Sequence, residues 1–137
     1  MDEMADFPEL EFSYVDTSAY TQAGLAEQLA SFGSDTILLF IVFTDDKDGN
    51  HYSDAQAAHF VSAHARIPYF SVTEIGFGTG ALGGDMNSVY TMGYKAGAMV
   101  RRIIFNGESP AAIPPETMVG TKMFDYAVMP GRSAVTI

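Results

Sequence analysis

The hydrophobic and polar positions of this chain change their period several times, and each change marks a predicted element of secondary structure. Alternating apolar and polar residues from Leu10 to Asp16 predict a half-buried strand. The unbroken apolar run from Thr36 to Phe43 is typical of a parallel strand that is buried on both faces. Ile67 to Val72 is a third predicted strand, and Lys122 to Asp125 is a short last one.

Three helices are predicted between these strands. The first begins at a cap on Thr17 or Ser18 and ends near Phe32, and the second runs from the Ser53 cap to about Ala65. The longest runs from Ser88 to Asn106. Four of its residues follow the 3, 4, 7 spacing of one helical face: Gly93, Ala96, Gly97 and Val100. A glycine inside a helix costs about 1 kcal/mol relative to alanine. We therefore expect the two glycines to face the sheet, where they let the helix backbone approach closely.

The alternation of strands and helices predicts an α/β fold with a mostly parallel sheet. Right-handed crossovers would make it a three-layer α/β/α sandwich of the flavodoxin-like or Rossmann-like kind, with the strand from Thr36 to Phe43 in the interior of the sheet. A chain of 137 residues is one domain by length, so we expect a single lobe over residues 1–137 with short flanking segments at 1–9 and 130–137.

Composition and charge exclude several classes of partner. The formal net charge is −10, and the few basic residues are scattered apart from Arg101 and Arg102, so nucleic acid and anionic membrane surfaces are not expected partners. The longest apolar run is too short to cross a bilayer, and no membrane insertion by this segment is expected. The absence of cysteine excludes disulfides, thiolate metal sites and a cysteine nucleophile.

Candidate ligand-binding residues are those predicted to follow the carboxyl ends of parallel strands, because ligands of open α/β sheets bind there. The glycines among them would let the chain pass close to a ligand. These candidates are Thr44, Asp45, Thr73, Glu74, Gly78, Gly80, Gly83 and Gly84. Carboxylates and hydroxyls suit the hydroxyl or amino groups of a small polar solute. No catalytic triad, carboxylate pair, cofactor or metal site is predicted.

The polar segments also match other motifs in part. Asp46 and Asp48 fit an acidic turn with aspartate capping. They also match the first positions of an EF-hand calcium loop, but His51 and Ala57 occupy positions where that motif requires glycine and glutamate. The motif Gly78-x-Gly80-x-x-Gly83 matches a dinucleotide fingerprint, but it lacks the helix context and the distal acid. His59 and His64 are five residues apart, so they do not stack as metal ligands on one helical face.

The segment from residue 83 to residue 114 resembles the last helix of bacterial solute-binding domains of the periplasmic-binding-protein type. The shared features are a glycine pair at Gly83-Gly84, the G-x-x-A-G pattern from Gly93 to Gly97, and the G-E-x-P-A-x-I-P exit from Gly107 to Pro114. Further similarities lie in the D-T-x-L-L block at Asp35 with Asp45 and Asp48-Gly49 after it, in Ile67-Pro68-Tyr69, in the loop from Gly78 to Gly84, and in Phe124-Asp125.

The resemblance implies a non-enzymatic lobe that recognises a small polar solute by closing against a second lobe. The chain is similar to the C-terminal lobe, so the implied partner is the missing N-terminal lobe of the same protein. It is closest to the extracytoplasmic sensor domains of histidine kinases and diguanylate cyclases, whose parent proteins are membrane-anchored. The alternatives are the substrate-binding component of an ABC transporter and, in a different class, a flavodoxin-like enzyme domain that binds a nucleotide or cofactor. Self-association through surface that the missing lobe would cover is also expected.

Overall fold

The computed structural model describes residues 7–128, and the predicted flanking segments lie outside this range except for residues 7–9. It contains three helices and four short strands, and the second and third strands follow each other without an α-helix between them. The helices are α1 (Gln22–Ser31), α2 (Asp54–His64) and α3 (Val89–Asn106). The strands are β1 (Leu38–Phe40), β2 (Tyr69–Ser71), β3 (Gly83–Met86) and β4 (Thr121–Phe124). Three-residue 3₁₀ turns lie at Thr17–Ala19, Glu74–Gly76 and Pro110–Ala112.

The four strands form one open sheet in the order β1-β2-β3-β4. The pairs β1–β2 and β2–β3 are parallel, and β4 runs antiparallel to β3. The prediction of an α/β fold with a mostly parallel sheet is therefore confirmed. One row of paired residues crosses the whole sheet: Leu39, Phe70, Gly83 and Phe124.

The hydrophobic core lies between one face of the sheet and helices α1 and α2. Leu25 and Leu29 of α1 are four residues apart and share a buried face, as do Ala57 and Val61 of α2. The sheet contributes Tyr69, whose side chain is fully buried. Both helices begin at capped residues. The Thr21 hydroxyl accepts a hydrogen bond from the Gly24 N–H, and Ser53 forms a reciprocal capping box with Gln56.

The strand predicted from Leu10 to Asp16 is not formed. This segment has no regular structure, and Leu10, Phe12 and Tyr14 are exposed. The alternating pattern alone did not suffice, because a strand also needs a neighbour to accept its backbone hydrogen bonds. Asp16 instead caps the short turn at Thr17–Ala19, and only Val15 reaches the core.

The prediction for Thr36 to Phe43 is wrong in its position. Only Leu38–Phe40 pairs with another strand, and β1 lies at an edge of the sheet rather than inside it. Phe43 is buried against the helices, whereas Ile37, Leu39, Ile41 and Val42 are exposed. Within residues 7–128, no further strand pairs with the outer edge of β1, because the expected N-terminal strand is not formed.

Helix α3 has the predicted limits but not the predicted packing. Ser88 caps its N-terminus, and Gly107 closes it in the left-handed conformation with φ 67°. Gly93 and Gly97 do not face the sheet: both are exposed, and an added Cβ at either would meet nothing within 4 Å. No residue of α3 is buried, so α3 does not supply the second helical layer, and the three-layer arrangement is not confirmed.

Candidate functional site

The carboxyl ends of β2 and β3 lie side by side and bring two polar residues together. Thr73 follows β2, Asn87 follows β3, and the two form a parallel bridge in which the Asn87 N–H donates to the Val72 carbonyl at 3.0 Å. Paired strands lie about 4.8 Å apart, so the two side chains are near neighbours. The Thr73 hydroxyl makes no hydrogen bond to any residue in the range 7–128.

Asn87 was not among the residues that the sequence singled out. Its Oδ1 atom is buried and has no hydrogen-bond partner among the described residues. Native proteins leave few such atoms unpaired, because an unsatisfied buried acceptor costs about 1–3 kcal/mol. The signal that could have identified Asn87 is its place directly after a strand, but the sequence predicted a glycine-rich loop from Gly78 to Gly84 and no strand over Gly83–Met86.

Glu74 has a structural role at this end of the sheet. Its Oε1 atom accepts hydrogen bonds from the Val89 N–H at 2.9 Å and from the Ser88 hydroxyl at 3.3 Å. The carboxylate thus satisfies a free N–H in the first turn of α3 and places a negative charge at the positive end of the helix dipole. The link fixes the start of α3 against the end of β2 and leaves the second carboxylate oxygen for other contacts.

Thr44 and Asp45 follow β1 but turn toward the helices. The Asp45 carboxylate contacts the Nδ1 atom of His51 and accepts a hydrogen bond from the Thr44 hydroxyl at 2.8 Å. The Asp45 carbonyl accepts a hydrogen bond from the Thr17 hydroxyl at 3.0 Å. Among the described residues, no hydrogen bond or ion pair joins this group to Thr73 or Glu74.

Asp46 organises the turn that follows, as the capping interpretation predicts. Its carboxylate accepts four hydrogen bonds, from the Asp48 N–H, from the Asn50 N–H and side-chain amide, and from the Tyr52 hydroxyl. The side-chain bond from Asn50 is the largest influence that lowers the pKa of Asp46, although burial opposes it. Burial is also the first cause that raises the pKa of Tyr52, and the bond to Asp46 adds to it.

The glycine loop lies away from the Thr73 and Asn87 pair. It connects β2 to β3 and returns along the helix-covered side, where Gly80 (φ 118°) fits against Ser62 of α2. The Leu82 N–H donates to the Tyr69 carbonyl, which places Gly83 level with the middle of β2. Gly78 has open space around it, and Gly84 lies against the backbone of Ser71. The loop leads into a strand, so it lacks the helix that a dinucleotide fingerprint requires.

The three histidines border a shallow surface pocket of about 590 Å³ outside α2. His64 stacks on Phe60 with ring centroids 4.3 Å apart, and its Nδ1 donates to the Phe60 carbonyl at 2.8 Å, since a carbonyl can only accept. No group of three or more histidine, aspartate or glutamate side chains in residues 7–128 is placed to hold a metal ion.

Comparison with known proteins supplies no assignment: no family model matches this chain, and no curated protein or solved structure matches it either. Within residues 7–128, none of the helices has the length and apolar character needed to span a membrane.

Proposed function

We propose that this chain is one lobe of an extracytoplasmic solute-binding domain that recognises a small polar molecule without changing it chemically. The ligand would contact the carboxyl ends of the parallel strands, and a second lobe of the same protein would close over it. The likeness of residues 83–114 to solute-binding domains supports this role. So does the parallel order of β1, β2 and β3, which directs three polar chain segments toward one end of the sheet.

The observation that carries the proposal is the pair formed by Thr73 and Asn87. Thr73 offers a hydroxyl, and Asn87 offers an amide oxygen, neither of which has a partner within residues 7–128. A hydroxyl or amino group of a solute would satisfy the acceptor whose burial is otherwise unfavourable. Glu74 carries a charge beside Thr73, but its carboxylate already caps α3. Asp45 lies in the turn after β1, where it contacts His51.

We propose a sensory role for the parent protein, with the domain coupled to a histidine kinase or a diguanylate cyclase across a membrane. This part of the proposal rests on the resemblance of the sequence alone. A substrate-binding component of a transporter would use the same fold and the same end of the sheet. The parent reading frame distinguishes the two, because a sensor gene continues into a membrane helix and an output domain.

Binding can be mapped on the 137-residue chain by two-dimensional amide NMR during titration with a pentose, a hexose, an α-amino acid and a diamine. The expected result is saturable shifts at Thr73, Glu74, Asn87 and Ser88 with one of these probes. Thr73→Val keeps the shape of the side chain and removes the hydroxyl, so it should weaken binding by about tenfold. Asp48→Asn is the matched control on an exposed turn and should leave binding unchanged.

Three results would contradict the proposal. Shifts confined to the histidine pocket at His51, His59 and His64 would place recognition outside α2 instead. Saturable binding that is identical in the parent chain and in Thr73→Val and Asn87→Ala variants would remove the strand ends from the site. Chemical conversion of a bound probe, followed in the same spectra, would contradict the non-enzymatic part.

A further inference from the structure

One face of the sheet carries apolar side chains and no helical layer among the described residues. We call it the open sheet face. It follows from the strand register, because residues that pair across the sheet point to the same side. Leu39, Phe70 and Phe124 share this side by their register, and the two-residue alternation places Ile41 and Val72 there as well. Phe70 and Val72 are half-buried. Leu39 is 54% exposed and Phe124 is 61% exposed, although parallel sheets usually have both faces covered.

The second uncovered surface lies on α3. We call it the α3 outer face, and it follows the helical repeat through Tyr90, Gly93, Gly97, Val100 and Ile104. Tyr90 is 79% exposed and Ile104 is 67% exposed, and the space over both glycines is open. The two glycines form a shallow depression between larger apolar side chains, which suits close contact with a flat surface.

Contacts on the other sides of α3 hold the helix in this orientation. Glu74 binds its first turn, Lys95 lies 3.3 Å from Glu116, and Arg102 lies 2.7 Å from Glu108. The Nε and Nη2 atoms of Arg102 both donate to Oε2 of Glu108, and these bonds lower the pKa of Glu108, so that pair remains charged near neutral pH. The outer face therefore points away from the connection between Gly107 and Gly120 that follows the helix.

Charge distinguishes α3 from the rest of the chain. The helix holds three of the seven basic residues and none of the seventeen acidic ones, which leaves a net charge of −13 on the remainder. A basic helix is attracted to the acidic body of another molecule of the same kind. Arg101 is exposed beside the α3 outer face. Asp85 lies on the open sheet face together with its cross-strand partner Lys122.

We propose that the chain forms a two-fold dimer in which the α3 outer face of each copy covers the open sheet face of the other. Each copy then supplies the helical layer that its partner lacks, and the contact is self-complementary, as two-fold symmetry requires. Six apolar side chains of the two faces are half or more exposed. At about 100 Å² each they supply about 600 Å² of the roughly 800 Å² per partner of a stable interface. This inference is independent of the proposed function.

The chain has no cysteine, so single introduced thiols report the contact without background. Leu39→Cys marks the open sheet face, and Val100→Cys marks the α3 outer face. Mixing the two variants under mild oxidation should give a mixed disulfide dimer as the dominant product. Glu27→Cys on the exposed side of α1 is the control, and it should not cross-link to Val100→Cys above the level of random collision.

Sedimentation velocity of the unmodified chain should show a concentration-dependent dimer. Ile104→Asp places a charge in the contact and should raise the dimer dissociation constant by about tenfold or more. Ser31→Asp adds the same charge at an exposed position on α1 and should leave the constant unchanged. Unaltered circular dichroism in both variants would show that neither change acts through unfolding.

Three results would overturn the proposal. A strict monomer at high concentration would show that the two faces do not meet. A Leu39→Cys homodimer formed in preference to the mixed product would indicate that β1 edges pair instead. A disulfide formed within one chain of the Leu39→Cys and Val100→Cys double variant, without mixed dimers, would show that α3 covers its own sheet.

Discussion

Gly97 and Gly84 have different surroundings, so replacing each of them with alanine should change the stability of the fold in opposite directions. Gly97 lies in the exposed interior of α3, where an added Cβ meets nothing within 4 Å. Gly84 lies in β3, where an added Cβ would overlap the Ser71 carbonyl oxygen of the neighbouring strand. We therefore predict that Gly97→Ala stabilises the fold and that Gly84→Ala destabilises it.

The magnitudes follow from different physical terms. Gly97→Ala removes the conformational entropy cost of glycine in a helix and should add about 0.8–1 kcal/mol to the free energy of unfolding. Gly84→Ala should lose about 1–3 kcal/mol or more, because the obstacle is backbone that cannot rotate away. Gly84 also pairs with Met123 of β4. A shift of β3 that relieved the overlap would therefore disturb its pairing with both β2 and β4.

The assay is urea unfolding, followed by far-ultraviolet circular dichroism at a concentration where the chain is monomeric. With a denaturant slope of about 1–3 kcal/mol per molar, the midpoint should rise by roughly 0.5 M for Gly97→Ala and fall by roughly 1 M for Gly84→Ala. A loss of stability in Gly97→Ala would refute the reasoning, because it would mean that the helix face is packed after all, as the sequence pattern predicts. Unchanged stability in Gly84→Ala would refute the close approach of β2 and β3.

Three further changes test the core, a helix cap and the acidic turn. Leu25→Ala removes a side chain that is 2% exposed and should cost about 2–5 kcal/mol in the same urea experiment, whereas a cost below 1 kcal/mol would mean that α1 is not part of the core. Ser53→Ala breaks the capping box of α2 and should cost about 1 kcal/mol, and Ser53→Asp should restore most of it. Asp46 has a lowered pKa, so its contribution is present above pH 3.8 and is lost as the pH falls toward the folded-state value. The thermal midpoint of Asp46→Asn should therefore depend less on acid pH than that of the parent chain. An Asp48→Asn control should keep the pH dependence of the parent chain. The same pH dependence in all three proteins would contradict the role of the hydrogen bonds to Asp46.

The local sequence pattern predicted where helices α2 and α3 begin and end better than it predicted which elements lie next to them. The cap at Ser53, the start at Ser88 and the stop at Gly107 depend on contacts within a few residues, and all three are confirmed. The capping interpretation of Asp46 is also local and is confirmed by its four hydrogen bonds. Local periodicity likewise predicted the alternation of helices and strands that makes the fold α/β.

The sequence pattern identified only some residues of the candidate site. Thr73 was found because it follows a strand whose apolar run is clear in the sequence, and the structure places it at a strand end beside Asn87. Asn87 was missed because the strand before it, Gly83–Met86, begins with two glycines and has little apolar character of its own. Its pairing with β2 and β4, rather than its composition, makes this segment a strand.

The sequence by itself determined the order of the three helices, the ends of α2 and α3 and the absence of thiol chemistry, because each depends on nearest neighbours or on composition. Only the tertiary structure decided that the run from Thr36 to Phe43 lies at an edge, that Glu74 caps α3, and that Gly84 rather than Gly97 is the packed glycine. An apolar run or a small residue indicates that a surface can be covered by another part of the structure. What covers it depends on contacts between residues far apart in the chain, and the helical or strand period of a single segment does not contain that information.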